Sequence, residues 1–194
     1  MFIETERMRL RPFRPNDLED LCRLRAQPEV MRYIGSGLPQ TRLQVVRRLQ
    51  TYLEHYAQHG FGVCAVIDKA AGRLIGASGL FIVDRTPDVE IGFTLDRPYW
   101  GQGRATEIAR ACLKYGFSTL RLPALAAVAY PENLASRRVL EKIGLEYYKT
   151  VPYQGVACDC YRLERSSETR PKAACGKKVS GIFRGKDHEG FNSR

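Results

Sequence analysis

The stretch Glu90–Thr106, EIGFTLDRPYWGQGRAT, constrains this 194-residue chain more than any other, because it reads as a strand that passes through a glycine-rich turn and opens a helix. Small residues at Gly101, Gly103 and Ala105 let a ligand approach the main chain. The first-turn amides and the helix dipole then favour a bound phosphate or pyrophosphate. The chemistry predicted here is the cradling of an anion by backbone N–H groups.

What surrounds the turn sets the fold class. Three strand-like runs, 61–68, 73–83 and 89–96, are separated by Gly72 and by Thr86-Pro87-Asp88, short enough for an antiparallel meander. After the turn the period changes. Ile108, Cys112 and Tyr115 share a helix face, 125–128 makes a short apolar strand, 136–143 a second helix, and 151–163 the last strand or two. Near the start, Met8–Phe13 alternates apolar and basic residues as a half-buried strand does, and Pro15-Asn16-Asp17 begins a helix carrying Leu18, Leu21, Cys22 and Arg25. Pro28 ends that run, and Val30–Ile34 makes a short helical piece before Gly35-Ser36-Gly37. Thr41 caps a longer helix whose apolar stripe is Leu43, Val46, Leu49, Leu53 and Tyr56, ending near His59-Gly60. An antiparallel first half followed by crossover helices predicts an α/β fold with a mixed central sheet covered by helices.

Length and an apolar content of 44% suit one domain with one substantial core. No run approaches the roughly 18–20 apolar residues of a membrane span, and the start MFIETERMRLRPF interleaves charges, so a cytoplasmic protein is expected. Cys22, Cys64, Cys112, Cys158, Cys160 and Cys175 lack the spacing of a zinc site or a disulfide scaffold, which predicts reduced thiols. Cys158 and Cys160, two apart, would share one strand face, either as a reactive pair or as ordinary packing.

The net charge of +10 attracts polyanions without choosing among them. Residues 166–194 hold seven basic and three acidic residues, four of the ten net charges, with Ile182, Phe183 and Phe191 as their large apolar residues. Such a segment buries too little to order itself, which predicts a domain over 1–165 and a flexible basic tail over 166–194.

Three kinds of turn can be compared with this one. A nucleotide-hydrolase phosphate loop ends in Gly-Lys-Ser/Thr, and Gly103-Arg104-Ala105-Thr106 lacks the lysine. A dinucleotide fingerprint, Gly-x-Gly-x-x-Gly, is matched only in part by Gly101, Gly103 and Thr106, and an antiparallel meander precedes it. The third comparison fits: the segment resembles motif A of the GNAT superfamily of N-acetyltransferases, Q/R-x-x-G-x-G/A, with Trp100 in place of Gln or Arg. Glu90-Ile91-Gly92-Phe93, Trp100–Ala105 and Glu107-Ile108-Ala109 resemble the branch containing ribosomal-protein N-terminal-alanine acetyltransferases. A second match, Asn133–Leu145, is similar to N-x-x-S-x-R-V-L-E-K-x-G-F, and ETERMRLR at 4–11 and VMRYIG at 30–35 extend the resemblance over residues 3 to 164.

The resemblance implies a GNAT fold, with a mostly antiparallel sheet splayed where acetyl-CoA, the co-substrate, is held. It implies cofactor contacts from Phe93, Thr94, Leu95, Gly101, Gln102, Gly103, Arg104, Ala105, Thr106 and Asn133. Amides left unpaired near Phe93-Thr94-Leu95 would bind the pantetheine and the thioester oxygen. Glu90, on that strand, is a candidate base for the acceptor amine, or else a solvated or structurally paired carboxylate. An α-amine, with a pKa of about 7.7–8.0, asks less of a base than a lysine amine near 10.4.

Many GNAT enzymes have a Tyr where Leu140 stands, so the general acid is open; Ser136 would reach the sulfur, or bond a carbonyl in its helix's first turn. Asn133 both caps that helix and contacts the pantetheine arm in this reading. Arg104 and Arg110 either meet cofactor phosphates or are solvated. His55 and His59 are spaced to share a metal but have no third ligand, so none is expected.

The function implied is acetyl transfer from acetyl-CoA to a primary amine, a protein N-terminus or a small molecule, by a monomer or homodimer with no membrane partner. Two alternatives stand beside it: a degenerate acyl-CoA-binding sensor, which Leu140 permits, and a ribosome- or nucleic-acid-binding module, which no aromatic-plus-basic RNA motif supports. The acceptor site would be shaped by Met31–Pro39 and Val151–Cys160, where the sequence holds no decisive cluster.

Overall fold

The period-two segments join into one sheet of eight strands in the order β1-β2-β3-β4-β5-β6-β8-β7. The computed structural model describes residues 1–83, 88–153 and 155–165; the expected tail and the Thr86-Pro87 turn lie outside them. The strands are β1 (Ile3–Glu4), β2 (Met8–Pro12), β3 (Val63–Asp68), β4 (Leu74–Phe81), β5 (Val89–Leu95), β6 (Ala124–Ala129), β7 (Glu146–Tyr153) and β8 (Val156–Glu164). The helices are α1 (Leu18–Arg25), α2 (Pro28–Met31), α3 (Arg42–His59), α4 (Arg104–Ser118) and α5 (Leu134–Lys142). All neighbours pair antiparallel except β5 with β6. The expected mixed, mostly antiparallel sheet is what forms.

Alternation along the strands feeds a core on each face of the sheet. Met8, Leu10, Val66, Ile75, Leu80 and Ile91 pack with Ile108 and Cys112 of α4 and Leu140 of α5. Phe13, Ala65, Leu74 and Ala77 pack with Leu21 and Leu24 of α1 and Val45 and Leu49 of α3. Burial of each large side chain contributes about 1.5–3 kcal/mol. β4 lies between both cores, which is why its first seven residues are all buried.

Three expectations need correction. On α3 the buried stripe is Val45 and Leu49, while Leu43 is 60% and Val46 40% exposed. Leu49, Leu53 and Tyr56 of the expected stripe do pack on the core, with Val45 and Tyr52 taking the places of Leu43 and Val46. Pro28 does not merely end α1; it begins α2 as a first-turn proline, and α2 stops at Met31. β7 begins at Glu146, not Val151, because residues 146–150 are exposed on both faces of an edge strand and carry no apolar alternation. Among the described residues no helix is long and apolar enough to cross a membrane.

Candidate active site

The parallel pair β5–β6 is joined only at Val89–Leu125 and Glu90–Ala126. Beyond that point β5 follows β4 as far as Leu95, and β6 follows β8 as far as Ala129, so the sheet opens as a wedge. The Asp96 amide donates to the Ile75 carbonyl at 2.7 Å. Because bonding residues alternate along an antiparallel ladder, Thr94 is engaged with Ala77, and the main-chain polar groups of Phe93 and Leu95 turn into the wedge. The Leu95 carbonyl accepts from Trp100 Nε1 at 2.6 Å, which ties the turn to the strand end.

The turn leads from the wedge to the N-terminus of α4. Gly101 and Gly103 hold φ of 73° and 75°, in the left-handed region that favours glycine. A Cβ at Gly101 would meet nothing within 4 Å, and one at Gly103 only Arg7 Nη2 at 3.8 Å, so the space beside the main chain is open. Gly103 caps α4 without a side-chain acceptor, leaving the amides of Arg104, Ala105 and Thr106 facing outward; the Glu107 amide is the one bonded to the Gly103 carbonyl, at 3.1 Å. Gln102 braces the turn, donating to the Pro98 carbonyl at 2.8 Å and accepting from Arg104 Nε at 3.1 Å.

The Arg104 guanidinium points away from this cradle. Its Nη1 lies 2.5 Å from Asp68 Oδ2, and it stacks over the Tyr99 ring at 5.1 Å. The Ala71 amide first, and Arg104 with it, hold the Asp68 carboxyl below its ordinary range against the effect of burial. Cations do surround the cradle, but mostly ones that sequence reasoning missed: a cleft lined by Arg7, Gly103, Thr106, Glu107, Arg110 and Lys142 lies beside it. Arg7 donates from Nη1 to the Gln102 carbonyl at 2.9 Å and from Nε to Glu107 at 2.7 Å. Burial pushes Glu107 up, but bonds from Thr5 and Arg7 outweigh it and keep the carboxyl low. Arg110 donates to the Lys142 carbonyl at 3.0 Å, fastening α4 to α5. The one available signal for Arg7 was its place in the matching run ETERMRLR.

On the far side of the wedge Asn133 caps α5, its Oδ1 accepting from the Ser136 amide at 3.2 Å. The half-buried Ser136 hydroxyl makes no hydrogen bond among the described residues, so the back-bond to a carbonyl is not formed. Leu140 is 2% exposed and belongs to the main core. Glu90 stands at the vertex of the wedge, 1% exposed, so it is not a solvated carboxylate.

At the wide end three half-buried tyrosines meet: Tyr33 after α2, Tyr130 after β6 and Tyr153 at the end of β7, with ring centroids 5.7 Å apart for the first pair and 5.9 Å for the second. Two of them fall in the segments that the sequence offered as acceptor-shaping. His55 and His59 lie elsewhere, and His55 spends both nitrogens on the Phe61 carbonyl and the Ile82 amide. Cys158 and Cys160 are both buried on β8.

An α/β protein whose glycine-rich turn and helix N-terminus open onto a split sheet is the class defined by this geometry. The chain belongs to the acetyltransferase (GNAT) domain family, whose model matches residues 7–146. It is 38% identical to the uncharacterized protein YkkB of Bacillus subtilis over 76% of this chain and 86% of that one. It is 30% identical to the uncharacterized N-acetyltransferase p20 of Bacillus licheniformis, over 73% and 80%. A GNAT-family acetyltransferase structure from Bacillus anthracis superposes with a TM-score of 0.71 at 29% identity, covering 84% of this chain and 96% of that one. The ribosomal-protein-S5-alanine acetyltransferase of Vibrio fischeri shares the fold, with a TM-score of 0.71 at 18% identity over 88% and 100%.

Proposed function

We propose that the chain transfers the acetyl group of acetyl-CoA to a primary amine by direct attack in a ternary complex. The observation that carries this reading is the continuity of the cradle at Gly101–Thr106 with the wedge between β5 and β6. A pyrophosphate fits the outward amides of Arg104, Ala105 and Thr106, with Arg7, Arg110 and Lys142 close by for further phosphate charge. Since the Arg104 side chain is committed to Asp68, its part in binding is main-chain. A pantetheine arm fits the wedge, where Phe93 and Leu95 present main-chain groups and Asn133 closes the other side.

Acetyl-CoA supplies an activated acyl thioester. The protein's part is to hold that group against fixed amides, accept the proton leaving the amine and return one to the departing sulfur. Glu90, buried at the vertex, is our candidate for the first proton, directly or through water. Ser136, with its hydroxyl uncommitted and its helix capped by Asn133, is our candidate for the second, in the absence of a tyrosine at position 140. The acceptor's amine attacks the carbonyl carbon, the carbon–sulfur bond breaks, and an amide and a free thiol leave.

The test is calorimetric titration of the purified chain with acetyl-CoA, alongside Gly103→Glu, which places a side chain and a negative charge in the cradle. Micromolar binding lost in the variant, with thiol release on adding amines, supports the reading. Binding without thiol release from any amine would point to an acyl-CoA sensor; no binding by the intact chain removes both.

A further inference from the structure

If the thioester lies between Glu90 and Asn133, an acceptor must reach it past the wide end of the wedge. The Tyr33 hydroxyl lies 3.4 Å from the carbonyl of Glu132, next to Asn133, so the tyrosine wall adjoins the atoms that would hold the acyl group. Tyr130 stands between the other two rings, tilted at 41° to Tyr33 and edge to face with Tyr153 at 74°. The three come from separate parts of the chain, and only the fold brings them together.

The charges around this wall limit what it can recognise. Arg32 lies over the Tyr33 ring at 5.3 Å, and exposed Glu132 is the carboxylate beside Tyr130. Asp159, behind them, is paired with Arg137 at 3.4 Å, and Arg137 also bonds the Tyr161 hydroxyl and the Pro131 carbonyl. Among the described residues a polycationic acceptor would thus find, outside the wedge that holds Glu90, one exposed carboxylate and a repelling guanidinium. An anionic one would find a single arginine already resting on a ring. Ring surface is what remains, and flat groups stack on it or meet it edge to face. Burial, the largest cause, raises the Tyr130 phenol above its ordinary range, which favours the uncharged form of that ring.

We propose that the acceptor is a primary amine carried on an aromatic or comparably flat apolar group, which lies against Tyr33, Tyr130 and Tyr153 while its nitrogen enters the wedge toward Glu90. This rests on the acetyl-transfer reading. It deepens that reading by naming the acceptor class.

Thiol release by the full chain with acetyl-CoA should be compared for 2-phenylethylamine, ethylamine, spermidine and a short peptide with a free N-terminus. The expected result is a kcat/KM for phenylethylamine at least about tenfold above the others, as one stacked ring predicts. Tyr130→Ala should raise KM for phenylethylamine far more than KM for acetyl-CoA, and Tyr130→Phe should keep the preference. Tyr33→Ala, at a loop position, makes the same comparison should Tyr130→Ala not fold. Preference for ethylamine, spermidine or the peptide, or a preference that survives both alanine variants, overturns the inference and leaves acetyl transfer standing. Absence of thiol release with every amine fells the two together.

Discussion

The guanidinium of Arg104, the first residue of α4, is held 2.5 Å from the carboxylate of Asp68, the last residue of β3. Both side chains are largely buried, at 14% and 3% exposure. Asp68 also accepts from the Ala71 amide at 2.7 Å, so one carboxylate joins the β3–β4 turn to the helix terminus that forms the cradle. Arg7 performs the parallel service from the β1–β2 turn, through Glu107 and the Gln102 carbonyl. The cradle is thus braced from two sheet turns.

Asp68→Asn should therefore destabilise the chain by about 3–5 kcal/mol, because it leaves the arginine charge buried and unpaired. It should also weaken acetyl-CoA binding more than binding of acetyl-pantetheine, which lacks the pyrophosphate. The folded carboxyl is held below its unfolded range, so its contribution is complete above about pH 4 and is lost as pH falls through the lower folded value. Urea unfolding between pH 3 and 6 should show this loss in the wild type and flatten it in the variant.

How much of this was readable beforehand follows from what each feature depends on. The strand–turn–helix at Glu90–Thr106 is local chemistry, and its glycines at positive φ announce themselves. The wedge is a matter of register between β5 and β6, 36 residues apart at Glu90 and Ala126, and no local pattern encodes where pairing stops. Arg104 read as a phosphate ligand because its partner, Asp68, lies 36 positions away. The tyrosine wall was hidden for the same reason, each ring sitting singly in its segment. The first five residues of β7, 146–150, escaped because a stretch of edge strand exposed on both faces has no period to detect.

Gly76 tests whether the edge of the wedge matters. It pairs with Leu95, and a Cβ there would lie 2.3 Å from the Thr94 carbonyl oxygen and 2.8 Å from Leu95 Cδ2. Backbone must move to admit it, so Gly76→Ala should cost roughly 1–3 kcal/mol and displace the main-chain groups of β5. Gly101→Ala, with nothing within 4 Å of its Cβ, should cost only the backbone strain of about 1–2 kcal/mol. Thermal unfolding and acetyl-CoA titration of the pair should separate the two; equal behaviour would show the β4–β5 contact to be dispensable.

The core thiols should be inert. Burial, eased slightly by the N-terminal amine, pushes Cys64 up to about 12, and burial outweighs the Ser78 contact to push Cys112 up to about 12. At pH 8 that leaves a thiolate fraction of roughly one in ten thousand. Mass spectrometry after iodoacetamide treatment should find both unmodified in the folded chain and modified in urea.

His55 should make stability depend on mildly acidic pH. Its Nε2 accepts from the Ile82 amide at 3.2 Å, so the neutral ring places its proton on Nδ1, 3.1 Å from the Phe61 carbonyl. Burial, then the neighbouring His59, lowers its affinity for a second proton. The unfolded chain takes that proton more readily, so stability should fall as pH drops below about 6.5. Urea midpoints at pH 7.5 and 5.5 should differ more in the wild type than in His55→Gln.

Glu90 provides the sharpest test of the proposed chemistry. A carboxylate at the vertex of the wedge, 1% exposed, is in place to accept the amine proton only if the acceptor nitrogen comes to it. Glu90→Gln keeps the size of the side chain and removes the base, so kcat should fall by about 10²–10⁴-fold while acetyl-CoA affinity is kept. The deficit should shrink as pH rises, since a larger share of the amine then arrives unprotonated. It should also be smaller for an α-amine, with a pKa of about 7.7–8.0, than for an alkylamine near 10.4. Equal losses for both acceptors at every pH would assign Glu90 to the architecture of the wedge instead of to proton transfer.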